Sequence, residues 1–276
     1  PEPEGIRRRE GTGCVERDDE RPKVVKGLDV FRERFSEYSD RYVLIGGTAC
    51  DIALGAAGIA YRGTKDLDIV LCLEALDKEF CEELWRFIKD AGYIHLEKST
   101  GKENFYRFYE PSDDSFPFML ELFSRTPDVI KLAEGSHLTP IPADDPGMSL
   151  SAILLDDDCY ELIQKMKTEV DGLSVASAEL LIPLKAVAWV RQMKRRDSGE
   201  EVHDNDIRKH RNDVFRLYQV INPSDRFAIP GSLKEELRSF IEAAESDSSI
   251  DLKSLGIRGT FVSEVCSRLR EVYGID

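Results

Sequence analysis

Residues 42–73 read YVLIGGTACDIALGAAGIAYRGTKDLDIVLCL. A hydrophobic run, Tyr42–Ile45, ends at Gly46-Gly47, a small-residue stretch of helical character follows, and a second hydrophobic run opens on Asp66-Leu67-Asp68. The expected unit is strand, helix, strand. Side chains alternate along a strand, so Asp66 and Asp68 share one face. Two carboxylates that close repel unless positive charge lies between them, and a hard divalent cation is a natural partner for oxygen donors. Glycines between a strand and a helix offer backbone N–H groups at a positive helix end, which suits phosphate. Taken singly, Gly-Gly is an ordinary tight turn and Asp-x-Asp an ordinary solvated or capping pair. Together, at the mouth of the apolar run Ile69-Val70-Leu71, where unpaired charge is costly, they point to metal-dependent phosphoryl or nucleotidyl chemistry.

A third carboxylate stands in Phe116–Phe123, FPFMLELF, which is apolar at nearly every position except Glu121. Such a run reads as a buried strand. A Glu within it needs a partner. That partner is either a buried Arg or Lys, or a metal shared with Asp66 and Asp68. In the second case three carboxylates converge on one sheet edge and suit two metals ~3.5–4 Å apart.

GGTA, then RGTKDLDIVL, then an apolar-flanked Glu resemble the DNA polymerase β-type nucleotidyltransferase superfamily. The element Arg62-x-Thr64-x-Asp66-x-Asp68 and the downstream LLIPLKAVAWVRQMKRRD and HDNDIRKHRNDVFRL resemble its AbiEii/AbiGii toxin-like branch, over about residues 41–221. The resemblance implies transfer of a nucleoside monophosphate from an NTP to an acceptor, with release of pyrophosphate. It assigns Gly46 and Gly47 to the triphosphate cradle, Asp66 and Asp68 to two ions (Mg²⁺ or Mn²⁺), and Glu121 to the catalytic ion and the acceptor hydroxyl. One departure stands out: eighteen residues separate Gly47 from Asp66, and the family's hydroxyl at the turn falls to Thr48. The branch also implies a toxin-like role, an antitoxin partner and tRNA as one acceptor. A small molecule or a protein acceptor stays open.

Candidate cations for the triphosphate are Arg62 and Lys65, beside Thr64, which could equally be salt-bridge partners of the acidic pair. Lys185 lies in the apolar helix AELLIPLKAVAWV. There it either snorkels to solvent or points into a cleft at an anion, and the resemblance favours phosphate.

The net charge of −15 argues against a general nucleic-acid binder. Lys194-Arg195-Arg196 and Arg208-Lys209-His210-Arg211 are local basic runs, most simply solvated helix faces. Cysteines 14, 50, 72, 81, 159 and 266 show no CxxC pairing, the pattern of intracellular free thiols. His203 and His210 read as surface residues. With no bilayer-length apolar run and no secretory pattern, no membrane association and a cytoplasmic location are expected.

The expected fold is α+β: a charged, flexible leader over 1–26, a mixed-sheet nucleotidyltransferase domain with flanking helices over 27–176, and a helical domain over 177–276. Helices are expected over Leu28–Tyr38, Asp77–Ala91 ending at Gly92, Ala178–Arg196, Asp204–Ile221, Leu233–Glu245 and Val262–Tyr273. Further strands are expected at Tyr93–Glu97, Phe105–Tyr109, Phe118–Phe123, His137–Pro142 and Leu150–Leu155. Two other readings compete. A glycosyltransferase also uses Asp-x-Asp, but only 65 residues precede Asp66. A non-catalytic member would bind an NTP or a partner without turnover.

Overall fold

The computed structural model describes residues 25–95, 105–127, 138–141 and 150–276. Strand β1 (Tyr42–Ile45) runs into helix α2 (Gly46–Ala56), and β2 (Asp66–Leu71) returns antiparallel to β1 with Ile45 opposite Asp68. The remaining strands are β3 (Arg107–Tyr109), β4 (Met119–Ser124), β5 (Leu138–Ile141), β6 (Leu150–Leu154), β7 (Lys167–Val170) and β8 (Leu173–Ala176). They form one mixed sheet in the order β5-β6-β4-β2-β1-β8-β7, with β3 paired to β4. β2, β4 and β6 are parallel neighbours, and β1 is parallel to β8.

Helix α1 (Leu28–Phe35), extended by a 3₁₀ turn at Ser36–Tyr38, and α3 (Lys78–Ala91) pack their aromatic residues together. Phe31 and Phe35 stack on each other at 4.5 Å and meet Tyr42 and Phe87 with ring centroids 5.3–6.4 Å apart. Both ends of α3 follow local rules. The Asp77 side chain accepts from the Phe80 N–H at 2.9 Å, and Gly92 closes the helix in the left-handed region at φ 64°.

Several expectations shift. Of the expected leader over 1–26, residues 1–24 lie outside the described residues; Val25 is buried and Lys26 pairs with Asp114 at 2.7 Å. The strand expected at Tyr93–Glu97 is a single bridge between Ile94 and Tyr109, with 96 and 97 outside the described residues. The expected strands at 137–142 and 150–155 are Leu138–Ile141 and Leu150–Leu154, residues 137 and 142 lying outside the described residues. Helix α4 (Asp157–Lys165) and the β7–β8 hairpin had no counterpart in the sequence reading. The hairpin turns on Asp171 (φ 50°) and Gly172 (φ 75°), with Val170 opposite Leu173. Two consecutive positive φ angles are what a two-residue hairpin loop demands, and Asp-Gly supplies them.

From β8 the chain enters α5 (Ala178–Asp197), then α6 (Asp204–Tyr218), α7 (Gly231–Ser246) and α8 (Val262–Tyr273). The observed architecture is thus a mixed sheet with flanking helices followed by C-terminal helices. One contiguous buried core joins the sheet residues Leu44, Leu67 and Leu122 to Leu181, Val214, Phe240 and Leu269 of the helices.

Pro183 sits inside α5. Having no N–H, it cannot serve the Glu179 carbonyl four residues back. The fully buried Tyr273 of α8 donates its hydroxyl to that carbonyl at 2.7 Å. Tyr273→Phe is therefore expected to lose ~1–3 kcal/mol, the cost of a buried acceptor left unmet. In a Pro183→Ala background the backbone can supply the donor, and the same Tyr273→Phe change should then cost much less. Chemical denaturation of the four proteins measures this coupling. Equal losses in both backgrounds would exclude the role given to Tyr273.

Candidate active site

Strand register assembles the carboxylates. Parallel pairing of β2 and β4 sets Asp66 opposite Met119 and Asp68 opposite Glu121. With alternation along each strand, Asp66, Asp68 and Glu121 stand on one face at neighbouring positions. Gly46, at φ 69°, lies directly against Asp68: a Cβ on Gly46 would overlap the Asp68 carboxylate. A glycine is needed there both for its backbone angle and for the close approach. At Gly47 a Cβ would come within 2.7 Å of the Thr64 hydroxyl. The Gly pair thus packs the start of α2 onto the acidic strand.

Crowding changes the acids. Loss of water raises the Asp68 pKa most, Glu121 and then Asp66 add to it, and Lys185 and Lys209 oppose them, leaving it at about 7. Asp66 is also raised by burial, against the pull of Lys209, Arg62, Lys65 and Arg107. The Glu121 carboxylate is ion-paired with Arg107 of β3, itself about half exposed. Of the two partners the sequence left open for Glu121, a buried Arg or Lys or a shared metal, the one present is an Arg, partly exposed rather than buried, on the adjacent β3. Among the described residues no group of three or more His, Cys, Asp or Glu is arranged to hold a metal ion.

Behind the carboxylates lies a charge cluster centred on Asp213 of α6, a residue absent from the sequence-derived site. Its side chain is 0% exposed. It accepts from Tyr61 at 2.7 Å, from Arg62 through Nε at 3.2 Å and Nη2 at 3.1 Å, and from Arg216 at 3.4 Å. The Lys185 ammonium stands 3.2 Å away. Burial would raise the Asp213 pKa, but Lys185, Arg62 and Tyr61 outweigh it and hold it below the usual carboxylate value. For Lys185 burial works downward, and Cys50, Asp213 and Asp68 more than restore it.

These placements revise several expectations. Lys185 is 6% exposed. It neither snorkels nor stands open, but faces inward between Asp213 and the acidic pair. Arg62 is held by Asp213 rather than by Asp66 or Asp68. Thr48, expected at the phosphate turn, is fully buried, and its hydroxyl donates to the Asp66 carbonyl at 2.8 Å, tying α2 to β2. Lys65 is exposed, 5.8 Å from the centre of the Phe118 ring. His210, read as a surface residue, is tucked against the cluster. Burial and the charges of Lys185 and Lys209 lower its pKa to about 4, and its Nδ1 has no partner. Lys209, read as part of a solvated basic run, bears on both Asp66 and Asp68. The run HDNDIRKHRND offered one signal for Asp213: it lies at i+3 and i+4 from His210 and Lys209 on a helix, hence near their face. The five described cysteines are free and buried.

No family model matches the chain, and no curated protein matches it. Among solved structures, JHP933 from Helicobacter pylori is 12% identical, covering 89% of this chain and 91% of that one, with a TM-score of 0.39. A candidate nucleotidyltransferase from H. pylori is 15% identical, covering 89% and 94%, with a TM-score of 0.38. No helix among the described residues is long and apolar enough to cross a membrane.

Proposed function

We propose that this chain is a metal-dependent nucleotidyltransferase that moves a nucleoside monophosphate from an NTP to an acceptor and releases pyrophosphate. The observation that carries this reading is the β2–β4 register, which sets Asp68 beside Glu121 with Asp66 on the same face, against the glycine turn at Gly46. The donor set suits Mg²⁺ or Mn²⁺. All the donors are hard oxygens, and the Asp68 pKa is raised first by burial and then by the neighbouring Glu121 and Asp66, a crowding that a bound cation would relieve. Asp66 and Asp68 would hold the ions, joined by Glu121 once it leaves Arg107. A bound divalent ion would draw charge from the phosphate oxygens and favour ionisation of the acceptor hydroxyl.

The protein's own part is positioning and charge. Arg62, Lys185 and Arg216 surround the single carboxylate of Asp213, a surplus of two positive charges. Lys209, ion-paired with Asp206 at 2.9 Å, also lies near the acids. A triphosphate would match that surplus, and the developing pyrophosphate charge would gain most from it where water is excluded. Gly46 and Gly47 would let phosphate approach the start of α2. Lys65 and Thr64 would line its entrance.

The toxin-like branch with tRNA as acceptor, and an antitoxin partner, is the narrower form of this reading and rests on the Arg62–Asp68 element and Lys185. A binding-only role has one observation in its favour, the ion pair that engages Glu121. The deciding experiment supplies each α-labelled NTP with Mg²⁺ and separate tRNA, small-molecule and protein fractions. Label should appear in one fraction. Glu121→Gln should keep NTP affinity within ~3-fold and lower transfer by ~10²-fold or more, because it removes a contact used mainly in the transition state. NTP binding with no label transferred to any fraction would leave the binding-only role.

A further inference from the structure

A cavity of about 330 Å³ lies in the helical half between α5, α6 and the turn after α7, near the small end of the range for ligand sites. Trp189, Met193 and Ile207 form an apolar wall, and Arg196, Arg208 and Arg211 stand around it. The two basic runs of the sequence therefore converge here. At 100° per residue, Ile207, Arg208 and Arg211 occupy the side of α6 opposite Lys209 and Asp213. This cavity and the carboxylate site thus lie on opposite faces of one helix.

The three guanidinium groups are not equivalent. Arg211, 10% exposed, is held by Asp247 and by Ser249 Oγ at 2.9 Å, so its charge is matched. Arg208 donates to the neutral side chain of Asn205 at 2.6 Å and has no carboxylate at salt-bridge distance among the described residues. Arg196 has only Asp197 at 3.7 Å and remains 45% exposed. Asp204 and Asp247 supply two carboxylates against three cations, leaving a net positive lining in a chain of charge −15. On the apolar side, Trp189 is 8% exposed, and its indole N–H is buried without an acceptor, an uncommon state for a buried donor.

We propose that this cavity binds a nucleoside monophosphate, independently of the transfer reaction proposed above. The aromatic and aliphatic wall suits a flat base. Arg208, with no carboxylate at salt-bridge distance among the described residues, and Arg196, held only by Asp197 at 3.7 Å, suit a phosphate. The Arg211–Asp247–Ser249 group sets a polar edge between them.

Trp85 and Trp189 are the only tryptophans, so in Trp85→Phe protein the emission reports Trp189 alone. AMP, GMP, CMP and UMP are titrated separately, with divalent ions chelated, and calorimetry on the unsubstituted protein provides a second reading should Trp85→Phe fold poorly. At least one nucleotide is expected to quench saturably with the affinity found by calorimetry. Arg196→Ala and Arg208→Ala should each weaken it by ~10-fold, the loss of one charge-assisted contact. Asp68→Asn should leave it unchanged. Inorganic phosphate should bind at least ~10-fold more weakly, lacking the base. The proposal is overturned if none of the four binds by either method, if neither arginine matters, if phosphate alone binds as well, or if Asp68→Asn abolishes binding.

Discussion

Asp213→Ala is expected to destabilise the protein by ~3–5 kcal/mol, the cost of leaving buried charges without their partner. Arg62, Lys185 and Arg216 all lean on this carboxylate, which has no exposure to solvent. Removing it strands the Lys185 ammonium, 6% exposed, among like charges. Adding Lys185→Met to Asp213→Ala should recover part of the loss, since the apolar stem keeps its packing and the stranded charge is gone. Denaturant unfolding of the single and double variants checks this. If the two losses simply add, the cluster is not a unit. The pH dependence has a definite sign. The Asp213 pKa is depressed in the folded state, so its contribution is present above the unfolded value of about 4 and is lost as pH falls through the lower folded value. The variant should lose that part of the acid-unfolding limb.

Asp68→Asn is expected to lower nucleotidyl transfer by ~10³-fold or more, because preorganised charge is usually the largest catalytic contribution. In metal-free buffer the same substitution should make the protein more stable. The folded Asp68 pKa, raised to about 7 from 3.8, means that folding favours the protonated acid. Its contribution is fully present below the unfolded value and is lost as pH rises through 7. Asn stays neutral throughout, so the melting-temperature gap in favour of the variant should widen between pH 4 and 7 and then level off. Saturating Mg²⁺ should close or reverse the gap, since a ligand stabilises the state that binds it. Retained activity would remove Asp68 from the site. A gap that does not change with pH would remove the crowding of carboxylates described here.

Much of the fold was legible because local rules wrote it. Two hydrophobic runs and Gly46-Gly47 marked β1, α2 and β2, Asp77 and Gly92 bracketed α3, and Val262–Tyr273 fell where its period placed it. The β7–β8 hairpin was equally local, with Asp171-Gly172 between Lys167–Val170 and Leu173–Ala176, but two four-residue strands just before a helix carry too little pattern to stand out. Alternation also put Asp66 and Asp68 on one face without any tertiary information. What lay beyond reach was pairing. Glu121 reaches Asp68 only through the parallel β2–β4 register, fifty-three positions apart in the chain. The partner of Arg62 turned out to be Asp213, 151 residues on, rather than the acids a few positions away. Lys185 faces inward, and His210 is drawn off the surface, because α5 and α6 pack on each other and on α2. Strand periodicity, caps and turns depend on residues adjacent in sequence and so survive in the sequence as pattern. Which charges meet depends on how separate elements dock, and that is set only when the shared core closes around them.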